Sequence, residues 1–221
     1  MSDKKNLVCL CADAGLLPKS SLGALCGKLS GEDTLICQDL CHVAVNSPEK
    51  LREFCLGGVR VFACHKRAAG AILNYAGAKA DFEFFDLRSE ASEVLGNFGI
   101  SEGGAADFNL QKFDNGGWPA WYPAIDYSRC VSCGKCVDFC MFKVYVKGSN
   151  GVRVENPKSC KDGCPACARM CPRQAIVFAK CEDDAISGAD ASESNFSSED
   201  YYEALKNRRL AAKSILKRPN S

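Results

Sequence analysis

The most informative segment of this chain runs from residue 130 to residue 172, CVSCGKCVDFCMFKVYVKGSNGVRVENPKSCKDGCPACARMCP. It contains two cysteine quartets of similar spacing. The first has the form C-x2-C-x2-C-x3-C and the second the form C-x3-C-x2-C-x3-C-P: Cys130, Cys133, Cys136 and Cys140, then Cys160, Cys164, Cys167 and Cys171. Because each quartet lies between two short apolar stretches, we interpret residues 125–180 as an internal repeat of strand, cysteine-rich turn with a short helix, and strand.

Complete quartets of this kind favour iron–sulfur ligation. Zinc prefers two ligand pairs that lie far apart in sequence, whereas thiolates on closely spaced turns are typical of iron–sulfur clusters. The chain has 16 cysteines, and we expect no secretory leader before them. Clustered C-x2-C spacing in such a chain indicates metal binding in a reducing, cytoplasmic compartment rather than disulfides.

The two quartets resemble those of the bacterial-type two-cluster ferredoxins, and the resemblance covers residues 121–180. It implies two [4Fe–4S] clusters with crossed ligation, in which the fourth cysteine of each quartet starts a helix that points to the other cluster. By that rule the first cluster is held by Cys130, Cys133, Cys136 and Cys171, and the second by Cys160, Cys164, Cys167 and Cys140. Two departures from the family pattern are Met141, where the family has proline, and the three-residue gap after Cys160. Neither departure removes a ligand.

The first half of the chain alternates short apolar runs with amphipathic stretches. Strands are predicted at Leu7–Cys11, Thr34–Cys37, Arg60–Cys64 and Asp81–Phe85, and helices at about 18–30, 48–56, 66–79 and 90–98. Strands separated by helices imply a small parallel sheet with right-handed crossovers. We therefore expect an α/β domain here, followed by an α+β ferredoxin-like domain.

A glycine- and proline-rich stretch, residues 101–120, divides the chain. The predicted organisation is an α/β domain over 1–100, a linker over 101–120, the two-cluster domain over 121–180 and a tail over 181–221. Serine and acidic residues dominate the start of the tail, so we expect disorder to about residue 197. The segment Ser198–Lys217 is compatible with a helix. Trp118, Trp121 and Tyr122 are expected to pack the linker onto a domain.

Seven further cysteines lie in the first half: Cys9, Cys11, Cys26, Cys37, Cys41, Cys55 and Cys64. Five of them end or follow predicted strands, and the carboxyl ends of parallel strands share one edge of a sheet. We therefore expect Cys9, Cys11, Cys37, Cys41 and Cys64 to converge. Cys26 and Cys55 lie in helical stretches and are expected to be buried as small apolar residues.

Three segments of this half, Val8–Cys11, Cys37–Cys41 and Val61–Arg67, resemble the N-terminal domain of the HdrA subunit of heterodisulfide reductase. The resemblance implies a part in cluster binding, and we expect a third iron–sulfur cluster ligated from among the five converging cysteines. The alternatives are a redox-active thiol pair and inert buried thiols, and His65 is an alternative ligand. No flavin is expected, because no G-x-G-x-x-G follows a strand.

Composition narrows the function further. The net charge is +1 and no apolar run reaches membrane-spanning length, so we expect neither nucleic-acid binding nor membrane insertion. Any charged docking surface must be local. The sequence predicts an electron-transfer protein or subunit of anaerobic metabolism, more a carrier than an enzyme, which passes single electrons between a redox enzyme or larger complex and another carrier. The alternative is a thiol/disulfide oxidoreductase that uses the N-terminal cysteines and is fed by the two clusters.

Overall fold

The computed structural model describes residues 4–29, 33–100 and 114–189. Most of the predicted linker, and the helix predicted at 198–217, lie outside these residues. The elements of the first half are β1 (Lys5–Cys9), α1 (Lys19–Leu29), β2 (Thr34–Cys37), α2 (Leu40–Asn46), α3 (Pro48–Phe54), β3 (Gly58–Ala63), α4 (Lys66–Ala76), β4 (Asp81–Asp86) and α5 (Ala91–Asn97).

The four strands form one parallel sheet in the order β2-β1-β3-β4. The α/β prediction for this half is therefore confirmed. Leu7 and Val8 of β1 and Val61 and Phe62 of β3 are fully buried, as expected for central strands of a sheet covered on both faces. Helices α2, α3 and α4 pack together, and α1 packs against α5. The strand order reverses between β1 and β3, and in parallel sheets ligands bind beyond the carboxyl ends of the strands at such a point.

Two elements of the first half differ from the prediction. Strand β1 ends at Cys9 rather than Cys11, because Cys11 takes a left-handed backbone with φ of +48°, which no strand residue adopts. Helix α2 was not predicted, because valines with good strand propensity interrupt its short apolar pattern. Its start is nevertheless marked by a favourable cap, since an Asp39 side-chain oxygen accepts a hydrogen bond from the His42 backbone N–H at 3.0 Å.

The second half contains shorter elements: β5 (Ala124–Ile125), α6 (Lys135–Phe139), β6 (Tyr145–Gly148), β7 (Gly151–Val154), a 3-10 helix (Pro157–Ser159), α7 (Ala166–Arg169), β8 (Ile176–Val177) and α8 (Asp184–Ser187). Strand β5 pairs antiparallel with β8, and β6 pairs antiparallel with β7. The internal repeat is visible in the backbone. Lys143 and Gln174 each lie three residues after the last cysteine of a quartet, and both have a left-handed φ, +53° and +48°.

The expectation of disorder directly beyond residue 181 is wrong for residues 181–189. Asp183 caps α8 by accepting a hydrogen bond from the Ala185 N–H at 3.2 Å, and Ile186 is buried. At Gly188, where φ is +100°, an added Cβ would stand 2.9 Å from the backbone nitrogen of Ala68. The start of the tail thus packs closely against the first half, which glycine permits.

The two halves share one core. Ala120, Tyr122, Ala124 and Val177 belong to the same buried cluster as the parallel sheet, and α4 packs against β5. The division into domains at residues 101–120 stays a prediction. Within the residues that the structure describes, no helix is both long enough and apolar enough to cross a bilayer.

Candidate iron–sulfur sites

The first group of cysteines lies around one open cavity of the second half. Cys130, Cys133 and Cys136 of the first quartet line this cavity together with Cys171 of the second. The pKa of the Cys136 thiol is raised to about 11, first by burial and then by the neighbouring thiol of Cys171. A backbone N–H, from Ala175, donates to the Cys171 sulfur at 3.3 Å. Three thiols from one repeat and one from the other therefore face a common space.

The second group combines three cysteines of the second quartet with one of the first. The pKa of Cys160 is raised to about 12 by burial and by its neighbours Cys167, Cys164 and Cys140. The pKa of Cys167 is also raised to about 12, with burial the main cause and Cys140 among the thiols that contribute. Cys140 thus lies with the second quartet. The buried Tyr145 hydroxyl donates a hydrogen bond to the Cys167 sulfur at 3.0 Å.

The donor sets suit polynuclear clusters. Each set consists of four cysteine sulfurs, three from one repeat and one from the other. A zinc ion draws its sulfurs to about 2.3 Å from one centre, whereas a cubane takes one thiolate at each of four separate iron corners. Hydrogen bonds from Ala175 and Tyr145 to sulfur are of the kind that tunes such clusters. The residues present therefore fit two [4Fe–4S] clusters.

Four cysteines of the first half form a third buried group. Cys9, at the end of β1, has Cys11, Cys64 and Cys41 as neighbours that raise its pKa, after burial as the main cause. Burial likewise raises the pKa of Cys64 to about 12, with Cys11 as the leading contributor among the thiols. β1 and β3 are the strands that flank the reversal of strand order. The group therefore lies where parallel sheets build binding sites.

Cys37 lies next to Cys9 in the parallel pairing of β1 and β2. It ends the edge strand β2, and its pKa is raised to about 12 by burial and then by Cys55. Cys55 and Cys26 are fully buried, as predicted. Cys41, another of the predicted candidates, is carried by helix α2 and lies with the third group.

A buried lysine from the second half lies beside the third group. The Lys180 ammonium is 2.8 Å from an Asp13 carboxylate oxygen and 2.7 Å from an Asp39 carboxylate oxygen, and it donates to the Pro119 carbonyl. Burial by itself lowers the pKa of Lys180, but the neighbouring Cys41 and Asp39 more than offset this effect, so the pKa is raised. The positive charge of Lys180 therefore interacts electrostatically with the third group of cysteines.

His65, directly after Cys64, is held by a buried carboxylate. Its Nδ1 is 3.1 Å from an Asp86 oxygen and 3.2 Å from the Ser89 hydroxyl. The other Asp86 oxygen accepts the backbone N–H groups of Arg88 and Ser89 at 2.8 and 2.9 Å. Although burial opposes it, hydrogen bonding from His65 and from these backbone groups lowers the pKa of Asp86 to about 2. His65 Nε2 is buried with no partner among the described residues.

The aromatic residues before the first quartet pack as predicted. Trp118 stacks on Tyr122 with ring centroids 5.9 Å apart, and Trp121 lies 5.3 Å from Phe178. The buried Tyr122 hydroxyl donates to the Cys41 carbonyl at 3.0 Å. These rings therefore join the second half to the helix that carries Cys41.

Sequence reasoning missed three residues near the candidate sites. Tyr145 and Lys180 carry no motif, since an isolated tyrosine or lysine looks the same in a strand whether it faces sulfur or water. Cys181 is buried, and its carbonyl accepts a hydrogen bond from Arg88 at 2.9 Å. The signal in the sequence that could have drawn attention to Cys181 is its position directly after the end of the repeat at residue 180.

Comparison with known proteins gives a consistent result. No protein-family model matches the chain. An uncharacterized ferredoxin from Methanocaldococcus jannaschii is 47% identical over 60 residues, which cover 27% of this chain and 41% of that protein. Pyruvate synthase subunit PorD of Thermotoga maritima is 29% identical over 66 residues, 30% of this chain and 66% of that subunit.

The PorD subunit of M. jannaschii is 34% identical over 69 residues, which cover 31% of this chain and 79% of that subunit. The chain thus spans most of this relative, but only 41% and 66% of the two preceding ones. Together with the two groups of four cysteines, this similarity shows that the chain belongs to the family of ferredoxins and pyruvate synthase PorD subunits.

Proposed function

We propose that this chain is an iron–sulfur electron-transfer subunit that works with a larger oxidoreductase. The observation that carries the proposal is the segregation of eight cysteines into two groups, each with three members from one repeat and one from the other. When bound, [4Fe–4S] clusters supply one-electron chemistry. The protein's own residues hold the clusters, hydrogen-bond the sulfurs and exclude water from the buried ligands.

The partner and the compartment are part of the same proposal. Two relatives are named as pyruvate synthase subunits, which supports a multi-subunit redox enzyme as the partner by analogy. All 16 cysteines are free, which supports a reducing compartment such as the cytoplasm. No residue arrangement in the described part of the chain suggests a substrate site, so the chain is proposed as a carrier rather than an enzyme.

Two double variants test the crossed ligation. In the first, Cys133→Ala and Cys171→Ala both remove ligands of the first cluster, so iron in the anaerobically purified protein should fall by about four per chain. In the second, Cys133→Ala and Cys140→Ala remove one ligand from each cluster, so iron should fall by about eight. EPR of the reduced proteins should show the loss of one ferredoxin-type signal in the first variant and of two in the second.

The reverse result would overturn the crossed assignment. If each quartet held its own cluster, the Cys133/Cys171 variant would lose both clusters and the Cys133/Cys140 variant only one. The two proteins differ in one alanine position, so each is the control for the other. A wild-type protein without iron or labile sulfide would sink the proposed function as a whole.

We further propose that the N-terminal half holds a third iron–sulfur cluster, ligated by Cys9, Cys11, Cys41 and Cys64. Support comes from their mutual proximity and from their position beyond β1 and β3. Four buried thiols with raised pKa values can all ionise only if a cation compensates the charge, and bound iron would do so. A redox-active thiol pair is less suitable, because such thiols need a lowered pKa.

Iron analysis separates this cluster from the other two. We expect about twelve irons in the wild-type chain and about eight in a Cys9→Ala/Cys64→Ala variant. Cys26→Ala is the matched control, since Cys26 is also buried but lies within helix α1 rather than at a strand end, and it should keep the wild-type iron content. About eight irons in all three proteins would exclude the third cluster and leave the first two unaffected.

A further inference from the structure

Large apolar side chains are exposed in one part of the second half. Val131 is 60% exposed, Phe139 48%, Met141 81% and Phe142 36%. Val131 lies in the first cysteine turn, and the other three surround Cys140 at the end of α6. Because α6 has five residues, Lys135 at its start lies only about 6 Å along the helix axis from Phe139 at its end. We call Phe139, Met141 and Phe142 the apolar face.

Clustered exposed apolar side chains on a folded protein are typical of interaction sites. Met141 is the residue that replaces the proline of the ferredoxin pattern, and it is the most exposed of the large apolar side chains in the described residues. A flexible thioether adapts to different partner surfaces. The departure from the family pattern therefore adds contact area next to a cluster ligand, Cys140.

Exposed lysines flank the apolar face, which also has one exposed carboxylate beside it, Asp138 of α6. Residues 121–180 contain ten lysines and arginines against four aspartates and glutamates, although the whole chain is nearly neutral at +1. Lys135 and Lys143 flank the face, are exposed, and make no ion pair with any residue that the structure describes. The Lys147 side chain lies against Gly134 of the first cysteine turn, where an added Cβ would stand 3.3 Å from its ammonium nitrogen.

We propose that the apolar face and its lysines form the docking surface for an acidic redox protein, whose carboxylates surround an apolar contact. This inference rests on the proposed electron-transfer function and specifies the partner's chemistry. Opposite charge on the two surfaces guides the encounter and fixes the orientation, while the apolar centre supplies contact area. Docking there brings the partner to the exposed Cys133 and to the partly exposed Cys140, one ligand candidate from each group.

The test uses the cluster-loaded wild-type chain on gold coated with a mixed monolayer of carboxylate- and methyl-terminated alkanethiols. A quartz microbalance measures the adsorption affinity, and voltammetry on the same surface measures the electron-transfer rate. We expect the affinity to fall with added salt and to fall at least tenfold in a Lys135→Glu/Lys143→Glu variant. Met141→Gln should weaken adsorption by about tenfold through the lost apolar contact, with charge unchanged.

The matched control is Lys28→Glu/Lys79→Glu, which changes the net charge equally through two exposed lysines of the first half. It should stay within about twofold of wild type if the effect is local. Equal losses in both double variants, or no loss in either, would overturn the docking surface. A further outcome would also overturn it: the wild-type chain binds a short random-sequence DNA duplex and the Lys135→Glu/Lys143→Glu variant does not. The lysines would then form a nucleic-acid binding site. Iron content, measured on every sample, separates these outcomes from failure of cluster assembly.

Discussion

At the residue scale, single polar atoms act directly on the candidate cluster ligands. The Tyr145 hydroxyl donates to the Cys167 sulfur, and the Lys180 ammonium lies between Asp13 and Asp39 beside Cys41. Both side chains are buried, so their interactions are screened little by water. For each of the two side chains we therefore expect its substitution to have a larger effect than the same substitution at a more exposed residue of the same type.

Tyr145→Phe should lower the reduction potential of the second cluster by tens of millivolts. The hydroxyl stabilises negative charge on the Cys167 sulfur, and the reduced cluster carries more of that charge than the oxidised one. Potentiometric titration followed by EPR measures the shift. Tyr127→Phe is the control, because the Tyr127 hydroxyl donates to the Val152 carbonyl rather than to sulfur. An unchanged potential in Tyr145→Phe would show that this hydrogen bond does not distinguish the two redox states.

Lys180→Met should lower the free energy of unfolding by about 3–5 kcal/mol, because it leaves the buried Asp39 carboxylate and the partly buried Asp13 carboxylate without their cation. Urea denaturation of the cluster-loaded chain checks this value. Lys4→Met removes a pair with Glu83 in which both side chains are more than 40% exposed, and it should cost at most about 1 kcal/mol. Similar losses in the two variants would mean that Lys180 is not a buried structural cation.

At the element scale, helix α2 connects the sheet edge to the third cysteine group. It carries Cys41, and its cap residue Asp39 also pairs with Lys180. The backbone N–H of Leu40 donates to the Cys9 sulfur at 3.4 Å. One short helix thus supplies a ligand candidate, a sulfur hydrogen bond and the acidic partner of the buried lysine.

Two substitutions at Asp39 separate the cap from the ion pair. Asp39→Asn keeps a side-chain oxygen for the His42 N–H and removes the charge, whereas Asp39→Ala removes both. The alanine variant should therefore be less stable than the asparagine variant by about 1 kcal/mol, the usual value of a helix cap. Thermal and urea unfolding of the two proteins measure the difference. Equal stabilities would assign the whole contribution of Asp39 to Lys180.

At the scale of the whole molecule, two arginines of the first half hold the second half. Arg67 lies 2.7 Å from an Asp126 carboxylate oxygen and also donates to the Gln174 carbonyl. Arg88 donates to the carbonyls of Ala179 and Cys181 at 3.0 and 2.9 Å. Planar guanidinium groups suit such multiple bonding. The interface therefore fixes the start of the first repeat and the end of the second.

A double variant, Arg67→Met/Arg88→Met, should divide a single unfolding transition into two. Far-ultraviolet circular dichroism follows the α/β sheet, and visible absorption follows the clusters. The two signals should coincide in the wild-type chain. They should separate in the variant, because the two halves unfold independently once the Arg67 and Arg88 contacts between them are lost. Arg153→Met is the control, because Arg153 pairs with Glu155 at the surface. Coincident transitions in the double variant would show that the shared core alone couples them.

Much of this arrangement could be predicted from sequence because it follows short periodic patterns. The parallel sheet follows from apolar runs separated by helices, and the candidate ligands of the second half follow from cysteine spacing. The sequence does not show how closely each of the five candidate cysteines of the first half approaches the others, because that depends on the strand order, which places β2 at the edge. The ion pairs of Lys180 could not be predicted either, because its two partners, Asp13 and Asp39, are more than 140 residues away in sequence.

The position of Lys180 has a consequence for the order of events during synthesis. The first half leaves the ribosome with Asp13 and Asp39 facing each other and with the cysteine edge of its sheet uncovered. Lys180, which pairs with both carboxylates, becomes available only once residue 180 has left the ribosome, together with the residues that complete the shared core. A fragment that stops near residue 100 should therefore remain a substrate for proteases and chaperones, whereas one that continues to residue 189 should mature.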